Sequence, residues 1–235
     1  MASSNLQSPT SNHYAIIVAG GSGSRMQSAV PKQFLTLNGK PVLMHTVEAF
    51  FYSASAPKII LVLPADYQLY WKELCAEYNF TIGHQLITGG ETRFHSVKNG
   101  LNAITEYNDT LVAVHDAVRP CPGEAVINES YKQASATGNA ITAVKSRDSV
   151  RQLKNGTSVS LLRDEIYLVQ TPQTFQIAQL KAAYNQPFTE AFTDDASVVE
   201  AAGFSVSIIE GSYRNIKITF PEDIAIAERL LVDGS

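Results

Sequence analysis

Two cysteines in 235 residues, Cys75 and Cys121, are too few and too widely spaced for a disulfide framework or a thiolate metal site. They read as the reduced thiols of a cytoplasmic protein. Long apolar runs are missing too, since no stretch approaches the roughly 18 residues of a membrane span. The N-terminus, MASSNLQSPTSNH, lacks the basic start and apolar stretch of a secretory leader and reads as a polar tail. Positive charge is not in excess either. The 18 Lys and Arg face 22 Asp and Glu, a formal net charge of −4, which argues against a nucleic-acid partner held by bulk electrostatics. The five histidines show no metal-ligand spacing. His95 stands beside Ser96 without an identifiable third partner, so hydrolase chemistry has little support. No internal repeat is present, and no Pro/Ser-rich linker divides the interior.

What is present is an ordinary globular composition, 45% hydrophobic and 17% charged, on a chain long enough for one large α/β domain. We expect a tail over residues 1–13 and one domain over residues 14–232. Tyr14–Ala19 is a short apolar run suited to a strand buried on both faces. The apolar spacing from Pro41 to Phe51 predicts a helix, with Pro41 acceptable in its first turn. Lys58–Leu63, Gln85–Ile87, Leu111–His115 and Ala140–Val144 read as further strands. They are interleaved with helices over Ala65–Tyr78, Glu91–Ile104 and Gly123–Thr137. This alternation predicts βαβ units and a mostly parallel, helix-covered sheet, in which ligands sit at the carboxyl ends of strands.

Two β-prone runs, Ser149–Lys154 and Thr157–Leu162, then meet at Asn155-Gly156. That dipeptide is a strong hairpin signal because both central residues need positive φ. Such a hairpin is either an edge extension of the sheet or an arm toward another subunit. A loop at Thr171-Pro172-Gln173, helices near Gln176–Tyr184 and Asp194–Ala202, strands at Ser205–Ile209 and Asn215–Thr219, and a closing helix over Pro221–Leu231 complete the reading.

Three groups of residues offer chemistry. In Ala19-Gly20-Gly21-Ser22-Gly23-Ser24-Arg25-Met26 the glycines let backbone N–H groups approach an anion. Arg25, and Lys32 in Pro31-Lys32-Gln33, add the charges a triphosphate requires. No Gly-Lys-Ser/Thr follows, so this is not a P-loop, and a plain strand-to-helix turn is the alternative. Asp116, at the end of a hydrophobic strand, suits a magnesium ion shared with substrate phosphates, or a turn; Arg119 is better explained as a group that stiffens that turn. Arg163, Arg214 and Lys217 are basic residues of the second half, which taken singly read as surface side chains.

Taken together, these segments resemble the 2-C-methyl-D-erythritol 4-phosphate cytidylyltransferases of the non-mevalonate isoprenoid pathway. The matching residues are the glycine loop, Pro31-Lys32-Gln33, Gly90 through Ser96, His115 through Cys121, Thr171-Pro172-Gln173, Thr193 through Ser197, and Asn215 through Thr219, with Phe220 intervening before Pro221-Glu222-Asp223. They span the chain from Tyr14 to Leu231. The resemblance implies a single Rossmann-like domain with a protruding β-hairpin arm at about 146–168 that reaches across a homodimer. It also implies the conversion of CTP and the methylerythritol phosphate into a CDP-alcohol and pyrophosphate. Arg25, Lys32 and Lys217 would neutralise the reacting α-phosphate, and Asp116 would bind Mg2+. Ala19, Gly20, Gly21, Gly23, Gly90, Glu91 and Ser96 would hold the nucleotide. Ser149, Arg163, Thr171 and Thr193 would contact the alcohol phosphate. Ser149 stands where the family often has threonine, and Glu91 where aspartate is common; neither change removes a charge the chemistry requires.

A ribitol 5-phosphate cytidylyltransferase is the nearest rival. Its relatives carry a longer segment between the loop arginine and Pro-Lys-Gln, and a Ser-Asp-Ala-Cys stretch at the later acidic motif. The direct Ala29-Val30-Pro31 junction and Thr193-Asp194-Asp195-Ala196-Ser197 favour the methylerythritol substrate. A non-catalytic nucleotide-binding module on the same fold would be expected to lose site charges, whereas Arg25, Lys32, Asp116 and Lys217 are all present.

Overall fold

Apolar residues alternate between two faces along each central strand, and the architecture follows from covering both faces with helices. The computed structural model describes residues 12–20 and 30–232. Most of the tail, together with Gly21, Gly23 and Arg25, lies outside the described residues. In chain order the strands are β1 (His13–Val18), β2 (Thr36–Leu37), β3 (Lys40–Pro41), β4 (Lys58–Leu63), β5 (Gln85–Thr88), β6 (Leu111–Asp116), β7 (Asn139–Lys145), β8 (Arg151–Lys154), β9 (Thr157–Ser160), β10 (Tyr167–Gln176) and β11 (Ile208–Glu210). The helices are α1 (Val42–Phe51), α2 (Ala65–Glu77), α3 (Arg93–Asn102), α4 (Glu124–Thr137), α5 (Ile177–Ala183), α6 (Asp195–Ala201) and α7 (Glu222–Val232).

Seven strands form one sheet in the order β11-β7-β10-β6-β1-β4-β5. It is mostly parallel: β1 runs parallel to β4 and β6, β4 to β5, and β7 to β11. Strand β10 runs antiparallel to both β6 and β7.

The two-residue period of a strand sends Ala15 and Ile17 to one face and Ile16 and Val18 to the other. The first face packs with Phe50 of α1, Trp71 of α2 and Tyr131 of α4. The second packs with Phe94 and Val97 of α3, Leu180 of α5 and Val199 of α6. Each such large side chain removed from water contributes about 1.5–3 kcal/mol. The Tyr131 hydroxyl, buried in this core, is satisfied by donating to the Tyr14 carbonyl at 2.7 Å. A smaller cluster of Leu37, Val42, Val118, Ile218 and Ala227 fastens α7 beside the β2–β3 ribbon.

The hairpin has the backbone its sequence predicts, with φ of 50° at Asn155 and 77° at Gly156. Strands β8 and β9 form a two-stranded sheet of their own, so the hairpin is not an edge extension of the central sheet. Every residue of both strands is exposed.

Two expectations need correction. Thr171-Pro172-Gln173 is not a loop; it lies inside β10. Proline cannot donate to a ladder, and the strand passes it with a register shift against β7 between Val169 and Gln173, as a bulge allows. Asn215–Thr219 is not a strand. A backbone bond from Ile218 N to Val118 O at 2.9 Å ties it to the turn after β6. Two of its carbonyls accept from cationic side chains of other segments instead: Asn215 O from Arg119 Nη1 at 2.8 Å and Ile218 O from Lys32 Nζ at 3.0 Å. The segment thus exchanges ladder bonds for two cationic side chains that it holds in place.

Candidate active site

The carboxyl ends of β1, β4, β5 and β6 carry Ala19, Gly20, Gly90, Ser96 and Asp116 of the predicted residues. Ala19 continues β1, donating its N–H to Val62 O at 2.9 Å and accepting from Gln33 Nε2 at 2.9 Å. Its N–H is therefore committed to the sheet, while Gly20 beyond it is exposed. Gly89 N donates to Leu63 O at 2.8 Å, turning the chain off β5 toward α3. Helix α3 starts on Thr92, whose hydroxyl accepts from His95 N, the usual cap geometry. Buried Ser96, one turn into the helix, accepts from Gly90 N at 3.1 Å. A methyl group added at Gly20 would stand 3.6 Å from Ser96 Oγ, and one added at Gly89 only 3.2 Å. The Ser96 hydroxyl therefore binds the Gly89-Gly90 turn and lies close beside Gly20 at the start of the glycine loop. Glu91 next to it is exposed.

Asp116 forms the second half. Lys217 Nζ lies 2.9 Å from Asp116 Oδ2, Arg119 Nε 3.4 Å from the same oxygen, and Arg93 Nε 3.6 Å from Oδ1. Burial by itself would oppose ionisation, but Arg93, Lys217 and Arg119 outweigh it and hold the carboxyl well below the usual carboxylate range. Arg119 fills the turn-stiffening role expected of it, bridging Asp116 to the Asn215 carbonyl. Lys32 is buried on the three-residue turn Lys32–Phe34. Thr171, expected to touch substrate, is buried at 5% exposure. Its hydroxyl accepts from Asp116 N at 3.1 Å and lies 3.0 Å from His115 Nδ1, so in this structure it supports the Asp116 backbone.

His115 is fully buried, with Nε2 3.0 Å from Arg119 O. A neutral ring that donates from Nε2 and accepts from Thr171 at Nδ1 satisfies every group. Burial pushes its pKa down to about 4. The unfolded chain, with an ordinary value of 6.5, therefore binds the proton first, and the stability carried by the neutral ring is lost as pH falls from 6.5 toward the folded value. We expect a loss of about 2 kcal/mol between pH 6.5 and about pH 4.5. Urea melts of the protein and of His115→Gln check this; an equal slope in both would refute the assignment.

Thr193 is exposed, and its N–H donates to Ser197 Oγ at 3.1 Å within the capping box that starts α6 on Asp194. Ser149 and Arg163 lie on the exposed arm, and Arg163 Nε faces Asp164 Oδ1 at 3.7 Å. Among the described residues, no hydrogen bond or ion pair ties either to the Asp116 cluster. Arg214 donates to Leu230 O on α7, a structural contact.

Sequence reasoning missed Arg93. Its guanidinium forks onto Asp195, Nη1 to Oδ1 at 3.0 Å and Nη2 to Oδ2 at 2.6 Å. One signal was available: a cation at the first position of a helix opposes the helix dipole and calls for an anionic partner.

The residues also bear on magnesium. Among the described residues no three His, Cys, Asp or Glu side chains converge to hold a metal by themselves. A single carboxylate kept ionised at a strand end suits a magnesium ion held jointly with phosphate oxygens, the usual arrangement for that ion.

A strand-end carboxylate ringed by cations suits a polyanion that brings its own counter-ion, and by family the chain is a nucleotidyltransferase. Within that class the chain belongs to the 2-C-methyl-D-erythritol 4-phosphate cytidylyltransferase family, whose model matches residues 13–233. It is 50% identical over 220 residues to the enzyme of that name from Phocaeicola vulgatus, covering 94% of this chain and 100% of the relative. It is 51% identical over 216 residues to that of Bacteroides thetaiotaomicron, covering 92% and 98%. Among solved structures, the Francisella tularensis enzyme of the same name superposes with a TM-score of 0.77 at 35% identity, covering 94% of this chain and 100% of that one. The 4-diphosphocytidyl-2C-methyl-D-erythritol synthase of Anaerococcus prevotii gives 0.79 at 30% identity, covering 94% and 96%. No helix of the described residues is long and apolar enough to cross a membrane.

Proposed function

We propose that this chain transfers the cytidylyl group of CTP to 2-C-methyl-D-erythritol 4-phosphate, in the cytoplasm. A phosphate oxygen of the alcohol phosphate forms a bond to the α-phosphorus, the bond from that phosphorus to the bridging oxygen of the β-phosphate breaks, and pyrophosphate leaves. The nucleophile is already anionic at neutral pH, so no protein base is required. His115, neutral and with both ring nitrogens engaged, is not one. Catalysis then rests on positioning and charge neutralisation. Lys217 and Lys32, with Arg25 from the glycine loop, meet charge building on the α-phosphate. Ser96, Gly90 and Gly20 would line the nucleotide side, and Gly21, Gly23 and Glu91 are assigned to nucleotide binding by the family resemblance alone. Magnesium bound through Asp116 and the triphosphate would neutralise the departing pyrophosphate.

The observation that carries this reading is Asp116 held ionised between Lys217, Arg119 and Arg93 at the end of β6. The arm, with Leu153 and Leu162 exposed at 74% and 70%, supports a homodimer in which Ser149, Arg163 and Thr193 complete the alcohol-phosphate side. Sedimentation velocity reads that assembly directly. The deciding experiment is pyrophosphate release with CTP, UTP, ATP and GTP against both methylerythritol phosphate and ribitol 5-phosphate. We expect CTP with methylerythritol phosphate to exceed every other pair by about tenfold or more in kcat/KM. Preference for ribitol phosphate would overturn the substrate assignment, and an absence of turnover with any pair would overturn the activity.

A further inference from the structure

Asp195 is fully buried and cannot reach a substrate, yet it is tied to the site by a single side chain. Its carboxylate accepts both terminal nitrogens of Arg93, and the Tyr184 hydroxyl donates to its Oδ1 at 2.6 Å. It stands at the first position of α6, where the helix dipole favours a carboxylate. Arg93 is thereby pinned from behind with its plane set, and its remaining edge, Nε, faces Asp116 Oδ1 at 3.6 Å. Arg93 also begins α3, the helix that carries Ser96. One planar group therefore links the nucleotide side, the Asp116 carboxylate and the start of the helix after Thr193.

We propose that Arg93 is a positioning residue for the reaction, holding the Asp116 carboxylate in place, and that buried Asp195 acts on turnover only by fixing Arg93. This rests on the reading above that Asp116 handles the triphosphate. Only a fork-shaped cation meets two carboxylates at once in this way; a lysine offers a point charge and no fixed plane. Gln173 secures the far end of the arrangement. Its Nε2 donates to Asp194 Oδ2 at 2.8 Å and its Oε1 accepts from Ala196 N at 2.8 Å, so the first turn of α6, and Asp195 with it, is fastened to β10.

The test uses the whole chain with Asp195→Asn, Arg93→Lys and the double variant, measuring kcat and both KM values along with thermal melting. Asparagine keeps the shape of the carboxylate but turns an N–H2 toward the guanidinium and breaks the fork. Partners that orient a charged site group cost about 10–100-fold in activity when lost. We expect each single variant to lose about tenfold or more in kcat, with both KM values within about threefold, because Asp195 touches neither substrate. The double variant should be no worse than the poorer single, since both cut one path. A purely structural pair would lower the melting temperature and leave kcat intact well below it. Retention of kcat within about twofold in both singles, or losses that multiply in the double, would overturn the proposal. Should Asp195→Asn not fold, Arg93→Lys decides alone, since lysine keeps a cation beside the buried Asp195 carboxylate while losing the fork. An inactive parent protein, or an Asp116→Asn variant with full turnover, would instead sink the underlying reading.

Discussion

Asp116→Asn is expected to lower turnover by about 10²–10³-fold, the cost of removing one preorganised electrostatic element from an active site, while the fold survives. Asparagine fills the same space and keeps the backbone N–H bond to Thr171, but it no longer offers charge to Lys217, Arg93 and Arg119. Each of the three cations has somewhere else to go. Arg93 keeps Asp195 and Arg119 keeps the Asn215 carbonyl, while the Lys217 side chain, 41% exposed, can turn to water. The penalty for stranding a buried charge, about 3–5 kcal/mol where no other partner exists, is therefore largely avoided. Lys217 is the cation left free to wander, and with it goes the alignment of positive charge at the α-phosphate. Single-turnover kinetics and a thermal melt on the same sample separate the two effects; turnover within about threefold of the parent would refute the role given to Asp116.

Lowering the pH of the parent protein should not mimic that variant. With its pKa depressed by the surrounding cations, Asp116 contributes stability in full above the ordinary carboxylate range and loses it progressively as pH falls from there toward the folded value. Between pH 5 and 8 its charge is constant. A decline in activity there reports another group or the second ionisation of the substrate phosphate, which titrates near pH 6.

Turn chemistry is local, and this part of the fold was legible in the sequence. Asn155-Gly156 announced the hairpin, the apolar runs announced β1, β4 and β6, and Asp116 was marked by its place at the end of a hydrophobic strand. Strand direction was not legible. The alternation of strands and helices implied parallel pairing, and nothing in the residues of β10 says that it enters the sheet antiparallel between β6 and β7. Pro172 misled because proline normally ends a ladder, whereas a register shift carries this strand past it. Asn215–Thr219 has the apolar spacing of a strand, and only the three-dimensional placement of Lys32 and Arg119 shows why its carbonyls leave the sheet. The Arg93–Asp195 pair lay furthest out of reach: its members stand 102 residues apart, and the fully buried acid looks in sequence like one more residue of a helix cap. The glycine loop was the first feature to suggest a triphosphate; the groups to which we assign the chemistry are spread over β6, α3 and the segment before α7.

Gly90→Ala is expected to raise the KM for CTP by about tenfold or more and to cost about 1–3 kcal/mol of stability, the range for forcing one extra carbon into a filled space. A Cβ at this position would stand 2.4 Å from His95 Cβ and 3.0 Å from the His95 carbonyl carbon. Those atoms belong to the first turn of α3 and cannot swing aside as the tip of a flexible side chain would. Relief requires the Gly89-Gly90 turn to move off the helix, which breaks the bond from Gly90 N to Ser96 Oγ. Because the displaced groups lie on the nucleotide side, the effect should fall on CTP more than on the alcohol phosphate. Gly83→Ala supplies the control: a Cβ there meets nothing within 4 Å, so its stability should stay within about 0.5 kcal/mol of the parent and its KM for CTP unchanged. Equal KM values for CTP in the Gly90 and Gly83 variants would show that the tight contact between this turn and α3 plays no part in holding the nucleotide.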